Sequence, residues 1–240
     1  MDRKTSNLQA VVLAGGLATR MRPRTLTIAK SMLEVAGLPF VDWQLSKLAS
    51  CGFGEVVMCI AHLGEQIQEH VGDGARFGLQ VRYSHEGPRL LGTAGALRVA
   101  LPLLAPTFLV TYGDSYLPFD YGEPLRVLEA HPDCDGVMSV YNNAGKWDGS
   151  NVRTDGVHVL RYEKGTTDPA FDHIDYGALA LRRTTIGSLP EGQPASLDAL
   201  QRELALQGKM RAVVAPERFY EIGSPEGLEA LDQRLRAESF

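Results

Sequence analysis

The sequence predicts an α/β protein: one mostly parallel, mixed sheet flanked by helices, with a strand-rich insertion after about residue 140 that forms a lid or acceptor half. Three observations lead there. Short apolar runs alternate with stretches of helical spacing through the first half of the chain. The first of those runs enters a glycine pair, and in the second half strands crowd together with fewer helices between them.

Taken in order, Gln9 to Leu13 is a buried strand that delivers its C-terminal end to Gly15-Gly16, the edge at which sheets of this class bind ligands. Pro39 suits a first helical turn, Phe40, Trp43, Leu45 and Leu48 follow at helical spacing, and Gly52 stops the helix. Glu55 to Ile60 is a second buried strand. A polar helix from about Gly64 to Val71, a strand at Gln80 to Ser84, a helix at Thr93 to Leu104 and the very apolar strand Phe108 to Thr111 continue the alternation. A helix near Tyr121 to Ala130 and strands at Gly136 to Val140, Gly156 to Tyr162 and Ile174 to Leu181 come next. Helix Leu197 to Gln207, strand Met210 to Val214, short strand Phe219 to Ile222 and a helix from Pro225 to about Arg236 complete a Rossmann-like pattern. With no internal repeat and no low-complexity linker, residues 1–240 read as a single domain.

Composition excludes several function classes. The 24 basic and 29 acidic residues leave a formal charge of −5 with no basic face, which argues against a nucleic-acid partner. No apolar run approaches the roughly 18 residues that span a bilayer. The start, MDRKTSNLQA, has neither a hydrophobic signal core nor a cleavage site. The 3 cysteines, Cys51, Cys59 and Cys134, are odd in number and widely spaced, so they build neither a disulfide framework nor a metal knuckle. A cytoplasmic protein is expected, and a homo-oligomer is left open. The 6 histidines show no metal-ligand spacing, and none is given chemistry.

The loop after the first strand matches neither GxGxxG nor GxxxxGK[ST]. Its paired glycines Gly15 and Gly16, with small neighbours, let main-chain N–H groups approach a phosphate, Arg20 offers a planar fork, and Lys30 a point charge. A tight turn flanked by surface bases fits the same letters. Asp114 follows the apolar strand at its C-terminal edge, where an acid can hold Mg²⁺ together with substrate phosphates, or merely cap a turn. Gly113-Asp114-Ser115 begins like a nucleophile elbow, but Leu117 breaks the motif and no histidine is ordered to serve Ser115. Glu221, Glu86 and the pair Glu163-Lys164 read, each alone, as solvated charges. The bulk-free stretch Gly92 to Ala96 admits either a flat ring or a close chain contact.

Together these features carry a resemblance. Leu13 to Phe40, LAGGLATRMRPRTLTIAKSMLEVAGLPF, resembles the signature of the sugar-1-phosphate nucleotidyltransferases, or NDP-sugar pyrophosphorylases, with Pro23 and Thr25 at the family's spacing between Arg20 and Lys30. Ala18 stands where glycine is usual and Ala29 where proline is. LLGTAGAL at Leu90 to Leu97, Gly113-Asp114, Glu163-Lys164, Tyr176-Gly177 and Glu221 to Glu226 follow in the family's order. The resemblance implies a catalytic domain that transfers a nucleotidyl group to a sugar 1-phosphate and releases pyrophosphate. Arg20, Lys30 and Asp114 would be catalytic; Leu13, Ala14, Gly15, Gly16, Glu86 and Gly92 would bind the nucleotide. Asn151, Glu163, Lys164, Tyr176 and Gly177 would hold the acceptor. Asp114 matches the first Mg²⁺ ligand, and Glu221 replaces the more frequent aspartate as the second. A carboxylate at position 86 can accept both hydrogens of guanine's N1–H and N2–H₂ edge, which points to GTP with a mannose- or heptose-type 1-phosphate. Gly72 to Gly78 also resembles uridylyltransferases of cell-wall sugar recycling, so UTP with an amino-sugar 1-phosphate is an alternative. A non-catalytic nucleotide-sugar-binding regulator is a third, motivated by Ala18, Ala29 and Glu221. The chain after Pro225 is too short for the β-helix tail or acetyltransferase domain of some relatives.

Overall fold

The computed structural model describes residues 8–16, 18–87, 89–143 and 145–238. The amino-terminal segment read for an export signal, up to residue 7, and Leu17 of the glycine loop lie outside the described residues.

In chain order the elements are β1 (Leu8–Leu13), β2 (Glu34–Val35), β3 (Leu38–Pro39), α1 (Phe40–Ser50), β4 (Phe53–Ile60), α2 (Gly64–Val71), β5 (Gln80–His85), α3 (Gly92–Ala100), β6 (Thr107–Tyr112), β7 (Ser115–Tyr116), α4 (Glu123–Ala130) and β8 (Gly136–Asn142). They continue with β9 (Val152–Thr154), β10 (Val159–Tyr162), β11 (His173–Arg182), α5 (Arg183–Gly187), α6 (Leu197–Leu206), β12 (Met210–Val214), β13 (Tyr220–Glu221) and α7 (Pro225–Glu238).

Strands β5, β4, β1 and β6 lie side by side and parallel. The sheet then changes sense. β11 runs antiparallel to both β6 and β8, and β12 returns parallel to β8. Most of the strands that crowd the second half therefore extend the main sheet, while β9 and β10 form an antiparallel hairpin joined to it through His173 and Val152. β9 has three residues, too few to announce itself by alternation. Helix α3 ends at Ala100, four residues before the expected stop, and a 3₁₀ turn over Leu101–Leu103 follows because Pro102 cannot continue an α-helical ladder.

The central strands are buried on both faces. Val12 and Met58 point into one apolar layer with Leu45 of α1 and Leu125 of α4, whereas Val11 and Val57 point into another with Leu97 of α3 and Leu200 of α6. This alternation puts helices on both sides and leaves the C-terminal edge of β1 and β6 free to carry a site. A third cluster joins Met21, Leu33, Phe40, Tyr116, Ile222, Leu231 and Leu235, so α7 clamps the loop that carries Arg20 against β7 and β13. Among the described residues no helix is long and apolar enough to cross a membrane.

Candidate active site

The loop leaving β1 is held by its neighbours on both sides. Ala14 N–H donates to the Cys59 carbonyl at 2.8 Å, and Gly113 N–H donates to the Leu13 carbonyl at 2.9 Å. A side chain at Gly15 would meet Ala61 Cβ at 3.2 Å and Glu86 Oε2 at 3.6 Å, while Gly16 faces open space. Ala18, where the resemblance leads one to expect glycine, sits in the left-handed region at φ 48° and ψ 43°. Its methyl group costs about 1 kcal/mol there. Ala18→Gly is therefore expected to raise stability slightly, by about 0.5 kcal/mol after the added freedom of the unfolded chain is subtracted. A denaturation midpoint below that of the parent chain would refute it. Ala29, the second departure, keeps an extended conformation that suits proline (φ −59°, ψ 139°). It uses the N–H that proline lacks: that group donates to Gln66 Oε1 at 2.9 Å, and Gln66 Nε2 donates to the Thr27 carbonyl at 2.8 Å, tying the loop to α2.

Asp114 is fixed from below. Gly113 has no room for a methyl group, since a Cβ would lie 2.8 Å from Ala14 Cβ and 2.9 Å from Ser31 Oγ. Ser31 Oγ donates to the Gly113 carbonyl at 2.6 Å, and the buried Gln44 of α1 donates to the carbonyls of Tyr112 at 2.7 Å and Ser115 at 3.1 Å. Lys30 Nζ pairs with Asp114 Oδ2 at 2.5 Å. Ser115 Oγ donates to Asp114 Oδ1 at 3.3 Å, an arrangement with no base for a nucleophile.

Glu221 arrives from the far end of the chain. β13 pairs antiparallel with β7, setting Glu221 opposite Ser115, and Ile222 N–H donates to the Asp114 carbonyl at 2.9 Å. Desolvation of its carboxyl and the adjacent Asp114 push the Glu221 pKa up to about 7, against the pull of Lys30 and Arg20. Gly223 completes the contact: a Cβ there would lie 3.4 Å from both Arg20 Nη2 and Lys30 Nζ, and 3.8 Å from Glu221 Oε2. Arg20, Lys30, Asp114 and Glu221 thus gather in one place. Two neighbouring carboxylates, one driven toward protonation first by desolvation and then by its neighbour, form a donor set that a divalent cation would relieve. Among the described residues no group of three or more His, Cys, Asp or Glu could cage a metal. The pair suits Mg²⁺, which commonly takes one or two carboxylates and completes its shell with phosphate oxygens and water.

Two hollows flank this centre. The first, of about 250 Å³, is lined by Gly15, Gly16, Lys30, Glu86, Gly92 and Asp114, with Leu13 and Ala14 in its wall. Burial raises the Glu86 carboxyl above its ordinary value. Gly92 (φ +75°) is approached by the chain itself, because a Cβ would meet the Ala195 carbonyl oxygen at 2.7 Å. The same carbonyl accepts from Ala94 and Gly95 at 3.0 and 3.2 Å. The bulk-free start of α3 therefore serves close chain packing as well as lining the hollow. The second hollow, of about 370 Å³, is lined by Arg20, Trp147, Arg218, Tyr220, Glu221 and Ser224 among others.

The residues expected at the acceptor side are more dispersed, and none lines either hollow. Asn151 is buried and its Oδ1 accepts from Asp175 N–H at 2.8 Å. Glu163 is exposed. Lys164 Nζ pairs with Asp198 Oδ1 at 2.8 Å. The Tyr176 ring is turned into the core, edge-on to Phe119 and Phe219 with centroids 5.1 and 5.9 Å away, and its buried hydroxyl has no hydrogen-bond partner among the described residues. What this segment turns toward the site is Gly177 (φ +86°), where a Cβ would lie 3.6 Å from the Tyr112 ring. Sequence reasoning missed Ser31, Gln44, Trp147 and Arg218. Gln44 alone left a signal, as a polar residue inside the apolar stripe of α1.

The family model described as Nucleotidyl transferase matches residues 9–145, more than half of the chain. The chain belongs to the nucleotidyl transferase family. Among nucleotidyl transferases it is 40% identical over 127 residues to the N-acetylmuramate alpha-1-phosphate uridylyltransferase of Neisseria meningitidis, covering 52% of this chain and 55% of that one. It is 33% identical over 196 residues to the mannose-1-phosphate guanylyltransferase of Mycobacterium tuberculosis, covering 81% of this chain and 54% of the relative. The chain thus spans about half the length of the curated relatives it matches. In three dimensions it resembles HddC from Yersinia pseudotuberculosis complexed with GMP-PN, with a TM-score of 0.78, 26% identity and coverage of 95% and 99%. These relatives bear out the likeness to sugar-1-phosphate nucleotidyltransferases and the mixed, mostly parallel sheet read from the sequence.

Proposed function

We propose that this nucleotidyl transferase is a Mg²⁺-dependent enzyme that joins GTP to a sugar 1-phosphate of the mannose or heptose type and releases pyrophosphate. The contact of Arg20, Lys30, Asp114 and Glu221 around Gly223, between two hollows, carries this reading. Two anions totalling about −6 when fully ionised must meet, and their repulsion is the main obstacle. A phosphate oxygen of the sugar 1-phosphate attacks the α-phosphorus of the triphosphate. The bond from that phosphorus to the α–β bridging oxygen breaks, and its electron pair leaves with pyrophosphate.

The loop amides of Gly15 and Gly16 and the Arg20 guanidinium bind the triphosphate. Lys30 holds its ammonium at the reacting phosphates, steered by Asp114. Lys164 and Glu163, in the turn that follows β10, take the acceptor's phosphate and hydroxyls. Mg²⁺ held by Asp114 and Glu221 would supply charge neutralisation and Lewis-acid polarisation of the phosphates. No protein nucleophile is required, so catalysis rests on positioning and pre-placed charge. Glu86 reads the base: donors on a guanine edge offset the desolvation that raises its pKa. The likeness to a structure complexed with GMP-PN supports GTP. The 40% identity to a uridylyltransferase supports UTP with an amino-sugar 1-phosphate as the second reading. Free Cys51, Cys59 and Cys134 and ionic substrates support a cytoplasmic setting.

Pyrophosphate release from a grid of GTP, UTP, dTTP and ATP against mannose, glucose and N-acetylglucosamine 1-phosphates, with and without Mg²⁺, tests this. GTP with mannose 1-phosphate should turn over, and only with Mg²⁺. Turnover of UTP but not GTP would reverse the reading of Glu86. Binding without turnover across the grid would make the chain a regulator.

A further inference from the structure

The residues given to the acceptor line neither hollow, yet one hydrogen-bond network joins them, built on two carboxylates that the proposed mechanism leaves unused. Asp175 is the inner one. Its N–H donates to Asn151 Oδ1 at 2.8 Å, and its carboxylate accepts from Gly177 N–H at 3.0 Å and from Gln201 Nε2 of α6 at 3.0 Å. Glu163 N–H donates to the Asn151 carbonyl at 2.9 Å, which ties the Glu163-Lys164 turn to the same support. Desolvation raises the Asp175 carboxyl above its ordinary value, against hydrogen bonds from Gly177 and Gln201 and the nearby Lys164 ammonium.

Asp198 is the outer one. It stands in the first turn of α6, where a helix favours negative charge. Its Oδ1 lies 2.8 Å from Lys164 Nζ and accepts from the phenol of the buried Tyr162 at 3.3 Å, and the same phenol is 3.5 Å from Asp175 Oδ2. Which member of the pair fixes the other follows from their anchorage. Lys164 is half-exposed on a turn whose next residue, Gly165, has φ +76°, and among the described residues Asp198 is the one carboxylate within ion-pair distance of it. The segment that carries Asp198 is fastened to the start of α3. Ala195 N–H donates to the Leu91 carbonyl at 2.8 Å, the Ala195 carbonyl accepts from Ala94 and Gly95 at 3.0 and 3.2 Å, and Leu197 N–H donates to Thr93 Oγ1 at 2.8 Å. The carboxylate is therefore the anchored partner, and the lysine, on its flexible stem, the one that is held. The charged centre is close by. Tyr112 lines the first hollow, and its phenol is raised well above its ordinary pKa by desolvation and then by Asp175, Asp198, Asp114 and Glu221, so both groups of carboxylates lie around one side chain.

We propose that Asp198 is the positioning residue of the acceptor half: it holds the Lys164 ammonium where the phosphate of the sugar 1-phosphate arrives, and it acts on the acceptor only through that lysine. This rests on the reading of the chain as a sugar-1-phosphate nucleotidyltransferase with Lys164 at the acceptor phosphate. A carboxylate oxygen takes one of the ammonium's donors and leaves the others for the phosphate. Its charge repels that phosphate, but the repulsion is screened at a half-exposed site, whereas an unheld lysine must surrender its rotamer freedom when the phosphate binds.

A double-mutant cycle tests this. The parent chain, Asp198→Asn, Asp198→Glu, Lys164→Ala and the double variant Asp198→Asn/Lys164→Ala are compared with the NTP and sugar 1-phosphate that the parent prefers. Acceptor affinity is read as KM and, where a variant is too slow for kinetics, as the Kd of the sugar 1-phosphate by calorimetry without NTP. Asp198→Asn should weaken acceptor affinity by about tenfold and leave the KM of the NTP within about twofold, and Asp198→Glu should recover part of the loss. In the Lys164→Ala background Asp198→Asn should change acceptor affinity no further, because the group it acts through is gone. A damaged fold would weaken both substrates and would do so in both backgrounds. Unchanged or tighter acceptor binding in Asp198→Asn, or an equal loss with and without Lys164, overturns the proposal while leaving the nucleotidyltransferase reading intact. Absence of turnover with every NTP and acceptor overturns that reading, and the proposal with it.

Discussion

Lys30→Ala lowers kcat for nucleotidyl transfer by about 10²–10³, the size of loss typical when one pre-placed hydrogen-bond donor to a transition state is removed. The ammonium is 15% exposed and held at 2.5 Å from Asp114, so it enters the reaction already oriented and already stripped of most of its water. Its removal leaves Arg20 as the cation near Gly223 and unbalances two adjacent carboxylates. The KM of the triphosphate should change much less than kcat, because Arg20 and the loop amides still bind it. Lys30→Arg should not restore the rate, since a planar fork cannot occupy the single contact of a point charge. Pyrophosphate release under saturating substrates measures this, and a Lys30→Ala rate within about threefold of the parent removes Lys30 from the chemistry.

Asp114→Asn has the second large effect: at least about 10³ in rate, with loss of the response to Mg²⁺. The substitution keeps the shape of the side chain and the support beneath it from Ser31 and Gln44, whose hydrogen bonds go to main-chain carbonyls. Only the charge departs. A second consequence can be read without turnover: the Glu221 carboxyl, raised to about 7 first by desolvation and then by Asp114, should titrate lower in the variant, though still above an ordinary glutamate. Carboxyl-carbon NMR across pH 4–9 measures it, the range being about that in which both forms would be populated. An unchanged Glu221 titration, or Mg²⁺-stimulated activity in Asp114→Asn, contradicts the placement of the pair at the centre.

Much of this was legible in the order of residues. The strands β1, β4 and β6 each carry a continuous apolar run because both faces of the sheet are covered, and such runs are visible without coordinates. The glycine pair and Asp114 each follow one of these strands directly, so their place at the C-terminal edge follows from local grammar. The antiparallel sense of β11 was not legible: a buried strand has the same apolar run in either direction, and its sense depends on where the chain returns. Tyr176 misled for a related reason. The glycine after it lies within β11 and marks no turn, and whether the ring faces solvent or core depends on Phe119 and Phe219, which come from distant segments.

Local pattern thus carried the alternating framework, the phosphate-ready loop and the charges that could do chemistry, because hydrophobic period, turn chemistry and residue type act over a few neighbours. Only the folded chain decided that Glu221 stands beside Asp114, that Ala18 occupies a left-handed position, and that Arg218 lies against the rings of Trp147 and Tyr220. Those are meetings of segments remote in sequence, set by strand pairing and burial, and no short window of residues contains the energy that selects them.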